Sequence, residues 1–437
     1  MEAAEVARRI INDLKSRGHQ AFLVGGCVRD LLLGKNPKDY DVTTDARPDE
    51  VTSLFPRSDL VGVQFGVVLV RDDGAQVEVA TFRSDHAYID GRHPAQVHFE
   101  TDPRQDVLRR DFTINALLLD PVNNQVLDFV GGRDDLVAGV VRAIGDPETR
   151  FLEDHLRLLR AVRFAARLGY RIEPATLEAI QRLHGLILKV SAERIRDELI
   201  RILTEGGARR GFELLDETGL LADILPEIAA MKGVSQPPEY HPEGDVWTHT
   251  LIMLEKLHEP GITLALGVLL HDVGKPPTFR VAERIRFDGH VEQGVKMAEA
   301  ILYRLRFSNE QIRQVSALVA NHMRFKDVPQ MKESTLKRFL RLEKFPEHLE
   351  LHRIDCLSSH GRLDNYEIVK HRMDELPAEQ LKPKPLITGD DLIAAGYPSG
   401  PLFARILAAV EDAQLEARIE TPEQAMALVR AHFPLNG

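Results

Sequence analysis

Strand-like patterning in this chain stops at Asp146-Pro147, one third of the way along its 437 residues. Up to about residue 140, short β-branched runs mix with helical ones; beyond that point helical apolar spacing dominates. This change of period excludes a sheet architecture spread over the whole chain and predicts an α+β head followed by helices. Val6, Ile10, Ile11 and Leu14 mark a helix over 4–17, ended by Arg17-Gly18. AFLVGG reads as a buried strand entering a glycine turn. Further strands are predicted at 66–70, 76–82 and 113–119, with Asp72-Asp73-Gly74 as a hairpin turn. Pro- and Gly-rich stretches at 233–245 and 376–386 are candidate linkers. The predicted parts are 1–140, 141–235, 245–360 and a helical tail at 365–437, which compares with about three domains expected at ~150 residues each.

Composition narrows the class. With 43% hydrophobic and 28% charged residues the chain is globular, and its longest apolar run, 262–270, falls far short of a bilayer span. No membrane partner is expected, and the N-terminus MEAAEVARRI lacks the apolar core of a signal peptide. Two cysteines, Cys27 and Cys356, make no disulfide framework, which points to a cytoplasmic protein. The net charge of −11 argues against nonspecific coating of nucleic acid, while leaving room for a local basic face or for carboxylates gathered around metal ions. No pattern sets an oligomeric state.

The first chemical constellation is GGCVRD at 25–30, between a strand and an apolar helical run. Gly25 and Gly26 let backbone N–H groups approach a triphosphate, and Arg29 suits phosphate oxygens. A plain structural turn would also use two glycines. Ten residues on, Lys38-Asp39-Tyr40-Asp41-Val42 places Asp39 and Asp41 on one side of a strand, about 7 Å apart. They are either solvated charges on an edge or hard oxygen ligands for Mg²⁺. Glu78, in QVEVATFR, is the candidate third carboxylate of a two-metal clamp, or else a solvent-facing glutamate. In RRDFTINAL, Arg110 suits a phosphate, and Asp111 and Asn115 suit a ribose or a supporting hydrogen bond.

The second constellation, EDHLRLLRAVRF, spaces Asp154, Arg157, Arg160 and Arg163 by three residues, which on one helix is a single slowly drifting face. Such a face is either a solvated charged surface or a template for bases. A carboxylate beside a guanidinium accepts from the exocyclic amino group and donates to the ring nitrogen of cytosine or adenine, and it mismatches uracil and guanine.

GG-x-VRD, D-x-D, RRDFTINA and ED-x-LR-x-LRA-x-RFA occur in that order, followed by SAERIRDEL. Over residues 20–225 this combination resembles the bacterial class II tRNA nucleotidyltransferase/poly(A) polymerase family. The resemblance implies a polymerase-β-like nucleotidyltransferase head with an all-helical neck and body and a helical tail. It implies addition of C and A, from CTP and ATP, to the tRNA 3′ end without a nucleic-acid template. By motif, Gly26, Arg29 and Arg110 bind triphosphate, Asp39 and Asp41 hold Mg²⁺, and Asp154 and Arg157 read the base, with Arg160 and Arg163 nearby. One Mg²⁺ would lower the pKa of the tRNA 3′-hydroxyl, and another would steady the α-phosphate and the leaving pyrophosphate. The tRNA would be held by shape and phosphates, with Arg167, Arg171, Arg194, Arg196, Arg201, Arg209 and Arg210 as candidates. Members restricted to CC lack a flexible segment after the third strand; the full-length 83–97 segment here leans towards CCA or A addition.

The third constellation lies after the first linker: His249, His271-Asp272, His290, His322 and Asp355. Mixed His/Asp ligation suits Mn²⁺, Fe²⁺, Ni²⁺, Co²⁺ or Zn²⁺ better than Ca²⁺. The order is similar to the HD phosphohydrolase superfamily across 245–360, which implies phosphodiesterase or phosphatase activity. His249, His271, Asp272 and Asp355 are the expected core ligands, and His290 and His322 would complete a second metal. His241, His258 and His360 are expected outside the site.

The leading expectation is therefore a CCA-adding nucleotidyltransferase with an HD domain. The rivals are an A-only enzyme or poly(A) polymerase, an HD phosphohydrolase whose head only binds nucleotide, and an inactive RNA-binding scaffold.

Overall fold

The computed structural model describes residues 3–61, 65–72, 74–88, 91 and 94–435. The chain divides into two compact units, 1–229 with 304–306, and 230–303 with 307–437.

The first unit opens with the helix Ala3–Ser16, whose buried stripe is Val6, Ala7, Ile10, Ile11 and Leu14. Among the described residues ahead of Pro147 the strands that follow, besides the two-residue piece Val140–Val141, are β1 (Ala21–Val24), β2 (Asp41–Thr44), β3 (Ser58–Leu60), β4 (Val67–Asp72), β5 (Ala75–Thr81), β6 (Arg83–Tyr88), β7 (Pro94–Phe99), β8 (Leu118–Asp120) and β9 (Gln125–Leu127). Seven of them form one sheet in the order β3-β4-β5-β2-β1-β8-β9. Central β2 is antiparallel to β1 and parallel to β5. Phe22, Val24, Phe82, Val107 and Leu118 form a hydrophobic cluster beside the sheet. β6 and β7 pair as a separate hairpin over 83–99, which contains the 83–97 segment; residues 89, 90, 92 and 93 lie outside the described residues, as does Asp73 of the expected hairpin turn.

Two sequence expectations are corrected. The strand predicted at 113–119 is a 3₁₀ turn, Thr113–Asn115, and only Leu118–Asp120 joins the sheet. Asp111 accepts from its neighbour Phe112 N (2.8 Å) and from Asn115 Nδ2 (3.4 Å), local bonds that compete with a strand ladder. The single helix predicted through 153–164 is broken. Pro147–Glu153 ends with Asp154 in extended conformation (φ −139°), and Arg157–Leu168 begins afresh. Asp154 Oδ1 accepts Leu156 N at 3.1 Å, a turn that a continuous helix cannot hold.

Beyond Pro147 the strands among the described residues are two-residue pieces, Arg171–Ile172, Arg280–Val281 and Ile285–Arg286; helices make up the rest of the regular structure. In the second unit, Val246–Glu255, Ile262–Leu270, Asn309–Asn321 and Phe345–Ser358 surround a histidine-rich centre. The tail carries its own cluster, including Leu392, Tyr397, Ile406, Val410 and Val429. Among the described residues no helix is long and apolar enough to cross a membrane.

Candidate active site and metal centre

β1 runs into Gly25, whose φ of +80° suits glycine, and the chain reverses into the short helix Gly26–Leu32. A Cβ at Gly25 would lie 3.6 Å from Nη1 of Arg110 and 4.0 Å from Oδ2 of Asp41, so this turn sits against both groups. Asp41 opens β2, and its partner across the parallel ladder is Glu78 on β5. Asp39 is exposed in the loop ahead of the strand, which corrects the expectation that both aspartates share one strand face. Burial lifts the Asp41 carboxyl to about 6; Glu78 adds to the rise, Arg110 opposes it and Asp39 adds further. Carboxylates crowded in this way supply the hard oxygen donors that suit a divalent cation.

The basic residues are tied down differently from one another. Arg110 gives Nη2 (2.8 Å) and Nε (3.3 Å) to Oδ2 of Asp106. Burial pushes Asp106 up, but the guanidinium groups of Arg110 and Arg109 outweigh it and hold the carboxyl at about 2. Asp106 is a residue the motif reading missed; its signal was the i, i+4 spacing to Arg110. Arg29, expected to face phosphate, is 2% exposed instead. It donates to Asn115 Oδ1 (2.6 Å) and Asp30 Oδ1 (2.8 Å), and its guanidinium lies 5.3 Å from the Phe164 ring centroid. Arg160 and Arg163 flank the same ring at 5.2 and 4.2 Å.

Because the helix breaks at Asp154, the four expected base-reading residues do not share a face. Asp154 pairs with Arg194 (3.0 Å), a residue the sequence reading assigned to tRNA. Arg157 pairs with Glu153 (2.8 Å) and donates to the carbonyls of Arg150 (3.1 Å) and Arg109 (2.8 Å). Arg160 pairs with buried Asp111 (2.6 Å), whose burial is outweighed by Arg160 and Arg157 so that its carboxyl sits at about 2. Arg163 is buried on Glu198 (2.6 Å). Asp111 and Asn115 thus serve as anchors inside this network.

In the second unit the six expected metal ligands converge. His249, His271 and Asp355 form one group and Asp272, His290 and His322 another; within each group the ligand atoms lie within 4.8 Å of one another. His271 Nε2 is 3.1 Å from Asp272 Oδ2, and His322 and His290 reach Oδ1 of the same carboxylate at 3.8 and 4.0 Å. His249 Nε2 is 3.1 Å from Asp355 Oδ1. The buried Nε2 atoms of all four histidines make no well-formed hydrogen bond and face the carboxylates of Asp355 and Asp272, an arrangement that a cation in each group would satisfy. Burial of Asp272 is outweighed by His271 and Lys275, which hold its carboxyl well below the usual range.

The expectation for His241 is corrected. His241 shares Glu243 with His249, and both His241 and His360 line a cleft of about 1650 Å³ that also holds His290, His322 and Asp355. Lys275 was likewise missed; it ion-pairs with Asp272 (2.7 Å) and donates to Gln236 (2.6 Å), and its i, i+3 spacing from Asp272 was legible.

A mixed sheet bearing a carboxylate cluster, a helical extension and a separate histidine–aspartate centre define the class: a nucleotidyltransferase head joined to an HD-type helical domain. Three families match along the chain in that order. They are the Poly A polymerase head domain at 21–142, the probable RNA- and SrmB-binding site of polymerase A at 169–232, and the HD domain at 244–376. The CCA-adding enzyme of Leuconostoc mesenteroides is 32% identical over 422 residues, covering 96% of this chain and 94% of its own. The CCA-adding enzyme of Lactobacillus helveticus is 39% identical over 254 residues (57% of this chain), and Poly(A) polymerase I of Escherichia coli is 42% identical over 237 residues (52% of this chain). These two matches span 63% and 51% of the relatives' own lengths. A crystal structure of the Bacillus stearothermophilus CCA-adding enzyme in complex with CTP superposes with a TM-score of 0.75 at 26% identity, over 99% of this chain and 98% of that one. The chain belongs to the bacterial tRNA nucleotidyltransferase/poly(A) polymerase family.

Proposed function

We propose that this chain adds C and A nucleotides, from CTP and ATP, to tRNA 3′ ends in the order CCA on the carboxylate face of its head sheet. The observation that carries the reading is the pairing of Asp41 with Glu78, with Asp39 and Arg110 acting on the same carboxyl. Mg²⁺ held by Asp39 and Asp41, with Glu78 as third carboxylate, would favour a deprotonated 3′-hydroxyl and offset the charge of the α-phosphate and pyrophosphate. Arg110, anchored on Asp106, keeps Nη1 beside the Gly25 turn, where triphosphate oxygens meet backbone N–H groups. Asp154 accepts from the amino group of C or A, and Arg157 donates to the ring nitrogen by exchanging Glu153 for the base. The CCA-adding relatives support this reading, as does the exposure of Arg171, Arg201 and Arg210 for tRNA phosphates. Buried free Cys27 and Cys356 fit a reducing cytoplasm.

The test is extension of a tRNA lacking its 3′ CCA, with Mg²⁺ and CTP, ATP or both. Three added nucleotides with both, and two with CTP alone, support the reading. Extension by ATP alone moves the chain to A-only or poly(A) addition, and no extension overturns transfer altogether.

A second activity, metal-dependent phosphoester hydrolysis in the HD domain, is favoured by the four buried Nε2 atoms gathered against the carboxylates of Asp355 and Asp272. An Mn²⁺, Fe²⁺, Co²⁺, Ni²⁺ or Zn²⁺ ion there would bring the pKa of water towards neutrality and so supply a nucleophile. Lys275 and the cleft residues Arg284, Arg286, Lys326 and Arg362 suit a phosphate-bearing substrate. Metal-stimulated hydrolysis of p-nitrophenyl phosphate esters, lost in His271→Ala, is the expected result; no hydrolysis with any of the five metals overturns it.

A further inference from the structure

We propose that Glu243 is a positioning residue of the histidine centre, holding the Nδ1–H of His249 so that Nε2 is presented to a divalent ion beside Asp355 and His271. The inference rests on the metal reading of that centre.

Three of the four histidines are oriented by backbone. Nδ1 lies 2.9 Å from the Val268 carbonyl in His271, 2.9 Å from that of Phe287 in His290, and 2.7 Å from that of Val319 in His322. Each carbonyl is three residues back, and each histidine sits at a helix end: His271 and His322 are C-cap residues and His290 opens its helix. Val268 and Val319 lie in the last turns of their helices, where carbonyls lack intrahelical partners and are free to accept an imidazole proton, and Phe287 lies in the segment before the helix that His290 opens. Such a bond places the proton on Nδ1 and leaves Nε2 as the ligand atom.

His249 is the exception. It lies inside the helix Val246–Glu255, where carbonyls are committed to the helical ladder, so its acceptor comes from elsewhere. That acceptor is Oε1 of Glu243, 2.6 Å from Nδ1. The carboxylate is 7% exposed and His249 is fully buried. The same Oε1 faces His241 Nδ1 at 2.9 Å, and the His241 ring packs edge-on against His249 with centroids 4.9 Å apart. A buried carboxylate behind a ligand histidine fixes its tautomer and ring orientation and raises its basicity. The alternative is that His241, Glu243 and His249, whose ligand atoms also lie within 4.8 Å of one another, hold an ion themselves. That would use Nδ1 of His249 and turn Nε2 from ligand into donor.

Co²⁺ titration of the full chain, read by visible absorption, tests the proposal. Glu243→Ala is expected to weaken Co²⁺ binding roughly 10–100-fold. Glu243→Gln, which keeps an acceptor oxygen without the charge, is expected to weaken it less, by roughly 3–10-fold. Wild-type affinity in Glu243→Ala overturns the proposal, as does loss of one Co²⁺ equivalent in His241→Ala, which would make the trio a site in its own right. If His271→Ala binds Co²⁺ like wild type, the metal reading itself falls. Melting of the chelator-treated proteins separates lost affinity from lost fold, and if Glu243→Ala does not fold, the affinity of Glu243→Gln decides.

Discussion

Asp41 and Glu78 are Cα partners on the adjacent parallel strands β2 and β5, so two carboxylates from residues 37 positions apart meet at one place on the head sheet. The Glu78 carboxylate raises the electrostatic penalty of ionising Asp41.

The first prediction concerns pH. Burial, Glu78 and Asp39 lift Asp41 from 3.8 to about 6. Between those values the folded state binds the extra proton, so stability contributed by this group falls as pH rises from about 4 to 6 and then levels off. In Mg²⁺-free buffer at pH 8, Asp41→Asn should therefore melt above wild type. The gain should be about 1 kcal/mol, taken below the full shift because the site borders solvent, or roughly 2–4 °C. The difference should vanish near pH 4, and the same variant should lose nucleotidyl transfer. Equal melting temperatures at pH 8 would show that the carboxylates do not strain one another.

Asp154 and Arg157 should separate by stability. Arg157 is buried on Glu153 and two backbone carbonyls, whereas Asp154 pairs with Arg194 at the site's edge. Arg157→Ala should cost about 3 kcal/mol, because Glu153 and two carbonyls lose a buried charged partner. Asp154→Ala should cost under about 1 kcal/mol while sharply lowering discrimination between CTP and UTP. Urea denaturation of the two variants checks the order.

The Asp111–Arg160 pair ties the segment between the short helix Pro103–Leu108 and the turn Thr113–Asn115 to Arg157–Leu168. Asp111→Ala should destabilise by about 3 kcal/mol, since it leaves Arg160 without its nearest counter-charge. The double variant with Arg160→Met should recover part of that loss; a strictly additive double-mutant cycle would refute the coupling.

Gly274 decides how closely the helix His290–Arg304 approaches the centre. A Cβ there would stand 2.1 Å from the His290 carbonyl oxygen and 2.6 Å from Gly294 N. Gly274→Ala should cost about 1–3 kcal/mol and weaken Co²⁺ binding, because His290 must move. Thermal melting and the absorption titration report the two effects independently.

The histidines of the second unit were legible as residue types; His271, His290 and His322 lie at helix ends, whereas His249 lies inside a helix. The D-x-D pair and Glu78 were legible as residue types, but their meeting was not, since register between β2 and β5 depends on the whole sheet. The single helix expected through 153–164 failed for a local reason. Residues 153–164 have helical spacing, yet the Asp154 side chain captures Leu156 N and breaks the helix, and spacing alone cannot weigh that bond against one more helical turn. His241 and Glu243 were unreadable because they lie in a Pro/Gly-rich stretch, where no periodicity says which way a side chain points.

The amino-acid sequence by itself determined the order of parts, the change from mixed to helical structure, and the residue types available for chemistry, because periodicity and side-chain type are properties of the chain taken locally. Tertiary structure alone decided the partners: Glu78 for Asp41, Glu153 rather than Asp154 for Arg157, Glu243 for His249. Contacts between charged groups depend on distances across elements, and burial then sets whether each charge is stabilised, shared or left needing a cation.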